Sequence, residues 1–282
     1  MLITEFNLET RGGAKIWISR SYSDPLFVDA LGDTDRLLNH PNCRVIKDEK
    51  KIKIGHLTLM IGGAWRSLYI KKYNPFSLHH ALASNVIRSG ALRALRGARL
   101  LDKAGIATVA PVAAVENRRW GILYESFFIS EEIADGKTAD AYWKENLQQL
   151  NGRKGVHRRL AFLRQLAVLF HKLHAQQIYH GDLKDANILV TPQERGPLVS
   201  FFLVDLEGVR RCVRLSERRK IKNLVQLYRT LGRHVPPPQR LFFLKCYLGA
   251  LFGDRHLKRK LIRRALRFAR RVEKVKARPT GS

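Results

Sequence analysis

Acidic residues are scarce in this chain: 24 Asp/Glu stand against 52 Lys/Arg, for a formal net charge of +28. A field of that sign draws polyanions such as nucleic acid, anionic lipid headgroups or phosphorylated sugars. Cysteine is scarce too. Cys43, Cys212 and Cys246 lie far apart, none at metal-ligand spacing. Their odd number argues against a disulfide framework and fits small buried hydrophobes in a reducing compartment. No apolar run approaches about 18 residues, so no membrane span is expected. The start, Met1 to Phe6, lacks the basic run and long apolar region of a signal peptide. A cytoplasmic protein is expected, one that can lie on a membrane surface. Internal repeats, low-complexity tracts and a Gly-x-Gly-x-x-Gly phosphate loop are also missing.

What is present supports a sizeable core. Forty-five per cent of the 282 residues are hydrophobic, enough for one large domain or two smaller lobes. The charge is uneven. From Arg210 to Arg278 there are 23 Lys/Arg against Glu217, Asp254 and Glu273.

The first 42 residues read as a strand (Lys15–Ser19) and a helix opening near Ser23-Asp24-Pro25, with Asp24 as cap. From Cys43 to Tyr73 the pattern is strand-like, with Gly62-Gly63 as a turn. Helical spacing runs from Val86 through Leu92, Leu95 and Leu101, and Gly105 stops it. Two more strand candidates occupy Thr108–Val115 and Trp120–Ile129. Glu131 to Gly136 reads as a connector between lobes. Beyond it Leu160, Leu163, Leu166, Ala167, Phe170 and Leu173 form one apolar helical stripe. Ile188–Val190 and Phe201–Val204 are short strands, and helices follow Gly208. The expected domains are 1–131, a β-rich N-lobe with one helix, and 132–282, a helical C-lobe.

The chemistry concentrates in His180-Gly181-Asp182-Leu183-Lys184-Asp185-Ala186-Asn187, followed by an apolar run ending at Asp205. Phosphoryl transfer of the kinase type needs such a set: a carboxylate to orient and deprotonate the attacking hydroxyl, an amide oxygen and second carboxylate for Mg²⁺, and a cation near the moving phosphate. The protein-kinase superfamily reads His-Arg-Asp, four residues, Asn. This chain resembles it from His180 to Asn187. The order of elements, over roughly residues 43–230, resembles the bilobal protein-kinase-like fold, an α+β architecture with a small β-rich N-lobe and a mainly helical C-lobe.

The resemblance implies that Asp182 orients the acceptor, Lys184 neutralises the transferring phosphate, and Asn187 with Asp205 binds Mg²⁺. His180 is expected to brace the loop rather than to transfer protons. Apolar-x-apolar-Lys in Leu68-Tyr69-Ile70-Lys71 selects Lys71 as the ATP-anchoring cation and leaves Lys72 as an exposed edge residue. Glu132 and Ile133, in the connector, join Lys71 as expected nucleotide-binding residues. The helix after Val86 carries only Asp102 as an acid, so either Asp102 or a residue elsewhere pairs Lys71. Glu207 is expected to pair with the Arg210-Arg211 side. Gly62-Gly63 is a hairpin signal as readily as a phosphate loop.

Arg88, Leu92, Ala94 and Leu95, then Gly105 to Glu116, resemble the segment reading Gly-Ile-Pro-Thr-Pro-Arg-Pro in bacterial lipopolysaccharide core kinases. Asp205 to Arg210 resembles that family's Asp-Leu-x-x-x-Arg ending. The likeness covers about Cys43 to Leu231. It implies ATP-dependent phosphorylation of a heptose or Kdo (3-deoxy-D-manno-octulosonic acid) hydroxyl of the inner core, at the cytoplasmic face of the inner membrane. A lipopolysaccharide or other glycolipid substrate suits the basic C-terminal quarter. There Leu257, Leu261, Ala265, Phe268, Val272 and Val275 fall on one helical face, expected to pack on the core, while the cations outside it would draw the protein to anionic membrane.

Three alternatives remain at this level. A kinase of the same fold could act on protein or another small molecule. A regulatory pseudokinase is argued against by the intact Asp182, Asn187 and Asp205. Nucleic-acid binding is argued against by the few aromatics among the C-terminal cations.

Overall fold

The computed structural model describes residues 6–74, 88–120, 122–193 and 198–276. Its contacts divide the chain into two compact units. One is Met1–Ala134 together with Leu206–Val209; the other is Asp135–Asp205 with Arg210–Ser282.

The first unit is built on a seven-stranded sheet in the order β1-β2-β6-β7-β5-β4-β3, each neighbouring pair antiparallel. Its strands are β1 (Phe6–Arg11), β2 (Ala14–Ser19), β3 (Arg44–Glu49), β4 (Ile52–Ile61), β5 (Ala64–Tyr73), β6 (Pro111–Arg119) and β7 (Ile122–Glu131). Alternation decides which side chains enter the core. Ile16 and Ile18 of β2, Leu68 and Ile70 of β5, and Phe127 and Ile129 of β7 are all buried. Helices α1 (Pro25–Leu31) and α2 (Thr34–Leu38) close that core with Phe27, Leu31 and Leu38. Asp24 caps α1 as expected, its carboxylate accepting the Phe27 N–H at 3.0 Å ahead of Pro25. Gly62 and Gly63 both take positive φ and turn β4 into β5, which is a hairpin's use of the pair.

Helix α3 (Gly90–Lys103) starts at Ser89, whose hydroxyl accepts the Leu92 N–H at 3.1 Å. The helical reading from Val86 begins outside the described residues. Gly97 of α3 packs against Leu206–Val209, where an added Cβ would collide with the Leu206 carbonyl oxygen. Only glycine lets that segment lie so close to the helix.

The second unit is mainly helical. It holds β8 (Lys137–Thr138), α4 (Ala139–Trp143), α5 (Gly152–Ala175), β9 (Ile178–Tyr179), β10 (Ile188–Pro192), β11 (Val199–Leu203), β12 (Arg210–Arg211), α6 (Glu217–Arg229), α7 (Pro237–Leu248) and α8 (Arg255–Lys276). The apolar stripe read for α5 is its buried face: Phe162, Leu163, Leu166, Ala167, Phe170 and Leu173. Strands β11-β10-β8 form one small sheet and β12-β9 another. Leu261, Ala265, Phe268 and Ala269 of α8 pack on Ile221 and Val225 of α6. The side chains of Leu257, Val272 and Val275 lie outside the described ones.

Candidate active site

Within the helical unit the loop from His180 to Asn187 joins β9 to β10 and is held by a set of internal hydrogen bonds. The N–H of Lys184 donates to the Asp182 carbonyl at 3.1 Å, and that of Asn187 to the Lys184 carbonyl at 3.0 Å. These bonds fold the six residues from Asp182 to Asn187 back on themselves. The Asn187 amide nitrogen then donates to the Asp182 carbonyl at 2.7 Å and to its carboxylate at 3.3 Å. The Lys184 ammonium reaches Asp182 Oδ2 at 2.7 Å, and this bond raises its pKa. Asp182, Lys184 and Asn187 are thus brought together.

His180 is fully buried. Its Nδ1 accepts the Asp182 N–H at 3.3 Å, so Nε2 carries the proton and donates to the Val204 carbonyl at 3.0 Å. Burial lowers its pKa and holds it neutral. It ties the loop to the strand leading into Asp205, and the Val204 N–H donates to the Asn187 carbonyl at 3.1 Å. Asp205 takes φ of 62°, the left-handed region that Asp tolerates better than most residues. Its charge acts on both Lys184 and His180.

Helix α6 supplies a scaffold that sequence reasoning missed. Asn223, fully buried, donates to the His180 carbonyl at 2.7 Å. Gln226 donates to Asp182 Oδ1 at 3.1 Å and to the Gly181 carbonyl at 3.3 Å, and accepts the Leu183 N–H at 3.2 Å. Amides on a basic helix some 44 residues downstream give no local signal of such a role.

The donor set suits magnesium. The Asn187 nitrogen is turned to Asp182, which leaves its Oδ1 as the acceptor, and Asp205 adds a carboxylate. Among the described residues no group of three or more His, Cys, Asp or Glu could hold a metal by itself. Two oxygen donors completed by phosphate oxygens and water are how Mg²⁺ is usually held beside a nucleotide.

In the sheet unit Lys71 sits on β5, between Phe128 of β7 and Ile54 of β4. Its ammonium donates to Glu207 Oε2 at 3.0 Å, and the Tyr73 hydroxyl donates to the same oxygen at 3.0 Å. The acid that meets Lys71 therefore comes from Leu206–Val209. The expected pairing of Glu207 with Arg210-Arg211 gives way to this one, because α3 holds Leu206–Val209 within the sheet unit.

Lys72 is not the exposed edge residue expected. Its side chain is 15% accessible and bonds Asp35 at 2.7 Å and Glu125 at 2.6 Å. It ends the same strand face as Leu68 and Ile70, so it must be paired to be buried there. In the connector, Glu132 meets His56 at 3.0 Å, and its N–H is spent on the Ser67 carbonyl. Ile133 follows it, partly buried.

The profile of the family described as "Lipopolysaccharide kinase (Kdo/WaaP) family" matches residues 50–247. A curated relative, 3-deoxy-D-manno-octulosonic acid kinase of Pasteurella multocida (strain Pm70), is 30% identical over 138 residues. The match takes in 48% of this chain and spans half the length of that relative. Among solved structures, "WaaP in complex with acyl carrier protein" superposes with a TM-score of 0.62 at 17% identity, over 86% of this chain and 97% of that one. At that identity the likeness is one of fold: a kinase-like fold with a β-rich part and a helical part.

Proposed function

The chain belongs to the lipopolysaccharide kinase (Kdo/WaaP) family, and from that membership we propose that it transfers the γ-phosphoryl group of ATP to a sugar hydroxyl of the lipopolysaccharide inner core, a heptose or a Kdo. The observation that carries this reading is the Asp182 carboxylate, held by Gln226 on one oxygen and Lys184 on the other, with Asn187 folded against it.

In the proposed step Asp182 orients the acceptor hydroxyl and takes its proton as the oxygen bonds to phosphorus and the bond to ADP breaks. Asp182 is 45% exposed, so an acceptor can reach it, and Lys184, 41% exposed, can follow the charge onto the moving phosphate. Asn187 and Asp205 would hold Mg²⁺, which supplies neutralisation of phosphate charge when bound. Lys71, steadied by Glu207, would anchor the nucleotide phosphates. With the Glu132 N–H already spent, Ile133 is the better candidate of the two for a backbone contact to the base.

No helix among the described residues is long and apolar enough to cross a membrane. Arg263, Arg267 and Arg270 of α8 face outward. This supports peripheral attraction to an anionic membrane, the cytoplasmic face of the inner membrane in this reading.

The test is incubation with labelled ATP, Mg²⁺ and core oligosaccharides that differ in phosphorylation and in the presence of heptose. Label is expected on one inner-core sugar. Its absence from every oligosaccharide, with label instead on protein, would overturn the acceptor class.

A further inference from the structure

Strand β12 pairs with β9 so that Arg210 lies opposite Tyr179, the residue immediately before His180. Three cations gather on the Tyr179 ring. The Arg210 guanidinium lies 5.0 Å from its centroid, that of Arg219 5.7 Å and the Lys222 ammonium 5.8 Å. All three charges therefore sit within about a Debye length of one another, ~10 Å in 0.1 M salt. Arg219 also donates to the Cys212 sulfur at 3.1 Å. Among the described residues none of the three forms an ion pair with a carboxylate. A ring face attracts a cation by only about 0.5–1 kcal/mol at an accessible site. Three like charges so placed are most stable with an anion among them.

The position of this cluster relative to the catalytic loop is set by one helix. Arg219, Lys222 and Gln226 stand at i, i+3 and i+7 of α6 and share a face. Gln226 bonds the Asp182 carboxylate. Lys222 lies one turn before it, a rise of about 6 Å along the axis, comparable to the span of a sugar ring. An acceptor with its hydroxyl at Asp182 would bring a substituent across the ring to Lys222, Arg219 and Arg210.

We propose that Arg210, Arg219 and Lys222 form an anion subsite beside the catalytic loop that seats a phosphate or carboxylate carried by the acceptor sugar. The subsite selects an acidic sugar over a neutral one, and it rests on the reading of this chain as a sugar kinase. Arg210 is exposed and Lys222 half-buried, so both are open to substitution without loss of the core, whereas Arg219 is kept because of its bond to Cys212.

The test is calorimetric titration of the full chain, with Mg-ADP present to fill the nucleotide site. The probes are glucose 6-phosphate, gluconate and glucose. Wild type is expected to bind at least one acidic sugar and to give no heat with glucose, and the preference between the first two identifies the anion. Arg210→Gln combined with Lys222→Gln should weaken that binding by about tenfold or more, the scale of a lost charge-assisted contact. Arg210→Lys should retain most of it. Melting temperature and Mg-ATP affinity should match wild type, which separates loss of the subsite from loss of the fold. Equal binding of glucose, no binding of either acid, or wild-type affinity in the double variant each overturn the subsite. A chain that binds acidic sugars through these residues but transfers no phosphoryl group to any core oligosaccharide keeps the subsite and loses the kinase reading.

Discussion

Asp182 and Lys71 carry different expectations in kinetics. Asp182→Asn removes the proton acceptor but keeps the hydrogen bonds to Gln226 and Asn187 possible. Turnover should fall by something on the order of 10² or more while Mg-ATP affinity holds. Equal turnover in the two proteins would sink the assignment. Lys71→Ala should raise the Michaelis constant for ATP as well as lower turnover. Glu207→Gln should move the same constant in the same direction, because it loosens the Lys71 ammonium it now bonds. Lys72→Ala belongs to stability instead. It strands the Asp35 and Glu125 carboxylates that share its ammonium, at a cost on the order of 2 kcal/mol. Urea unfolding of the Lys72→Ala protein should show this, and an unchanged midpoint would contradict the pairing.

At the scale of elements, α6 matters most. It bonds the His180–Asn187 loop through Asn223 and Gln226, and His174 of α5 joins it to α7. That imidazole meets the Tyr247 hydroxyl at 2.8 Å and Asn223 Oδ1 at 3.3 Å. Burial lowers its pKa from 6.5 to about 4. Well above pH 6.5 the imidazole is neutral whether the chain is folded or not. As pH falls toward 4 the unfolded chain takes up a proton that the folded one refuses, so stability is lost across that window. The loss through this group is on the order of 3 kcal/mol. Of this, about 2 kcal/mol should separate the unfolding free energies at pH 7.5 and 5, and His174→Gln should flatten the slope. On the other unit, Gly97→Ala should push Leu206–Val209 off α3 and carry Glu207 away from Lys71. A raised Michaelis constant for ATP in that variant, reproduced by Glu207→Gln, would connect the helix to the site.

For the molecule as a whole the expectation concerns its charge. Among the described residues of α8, Leu261, Ala265, Phe268 and Ala269 pack on Ile221 and Val225, which leaves its outward cations to act at a surface. Sedimentation with vesicles should show binding that grows with anionic lipid and shrinks with salt, at about 1 kcal/mol per basic residue near the surface. Replacing Arg263, Arg267 and Arg270 by Gln should weaken it. Wild-type binding indifferent to salt and lipid charge would confine the role of these cations to soluble partners.

The loop that holds Asp182, Lys184 and Asn187 was legible in the sequence as a unit because its parts are neighbours: the three fall within six residues, and local turns bring them together whatever surrounds them. The strands were legible by alternation, the long helix by its stripe, and the α1 cap by Asp24 before Pro25. What could not be read depends on residues distant in the chain. Glu207 reaches Lys71 across 136 positions, because Gly97 admits Leu206–Val209 to the face of α3. Gln226 reaches Asp182 because α6 packs beside β9. Lys72 looked like an edge residue because its strand gives parity but not partners, and the two acids that bury it lie on α2 and β7. Periodicity and short-range hydrogen bonding are written locally. Which acid meets which cation is set by packing, since a charge can leave water only where the folded chain has already placed its counter-charge.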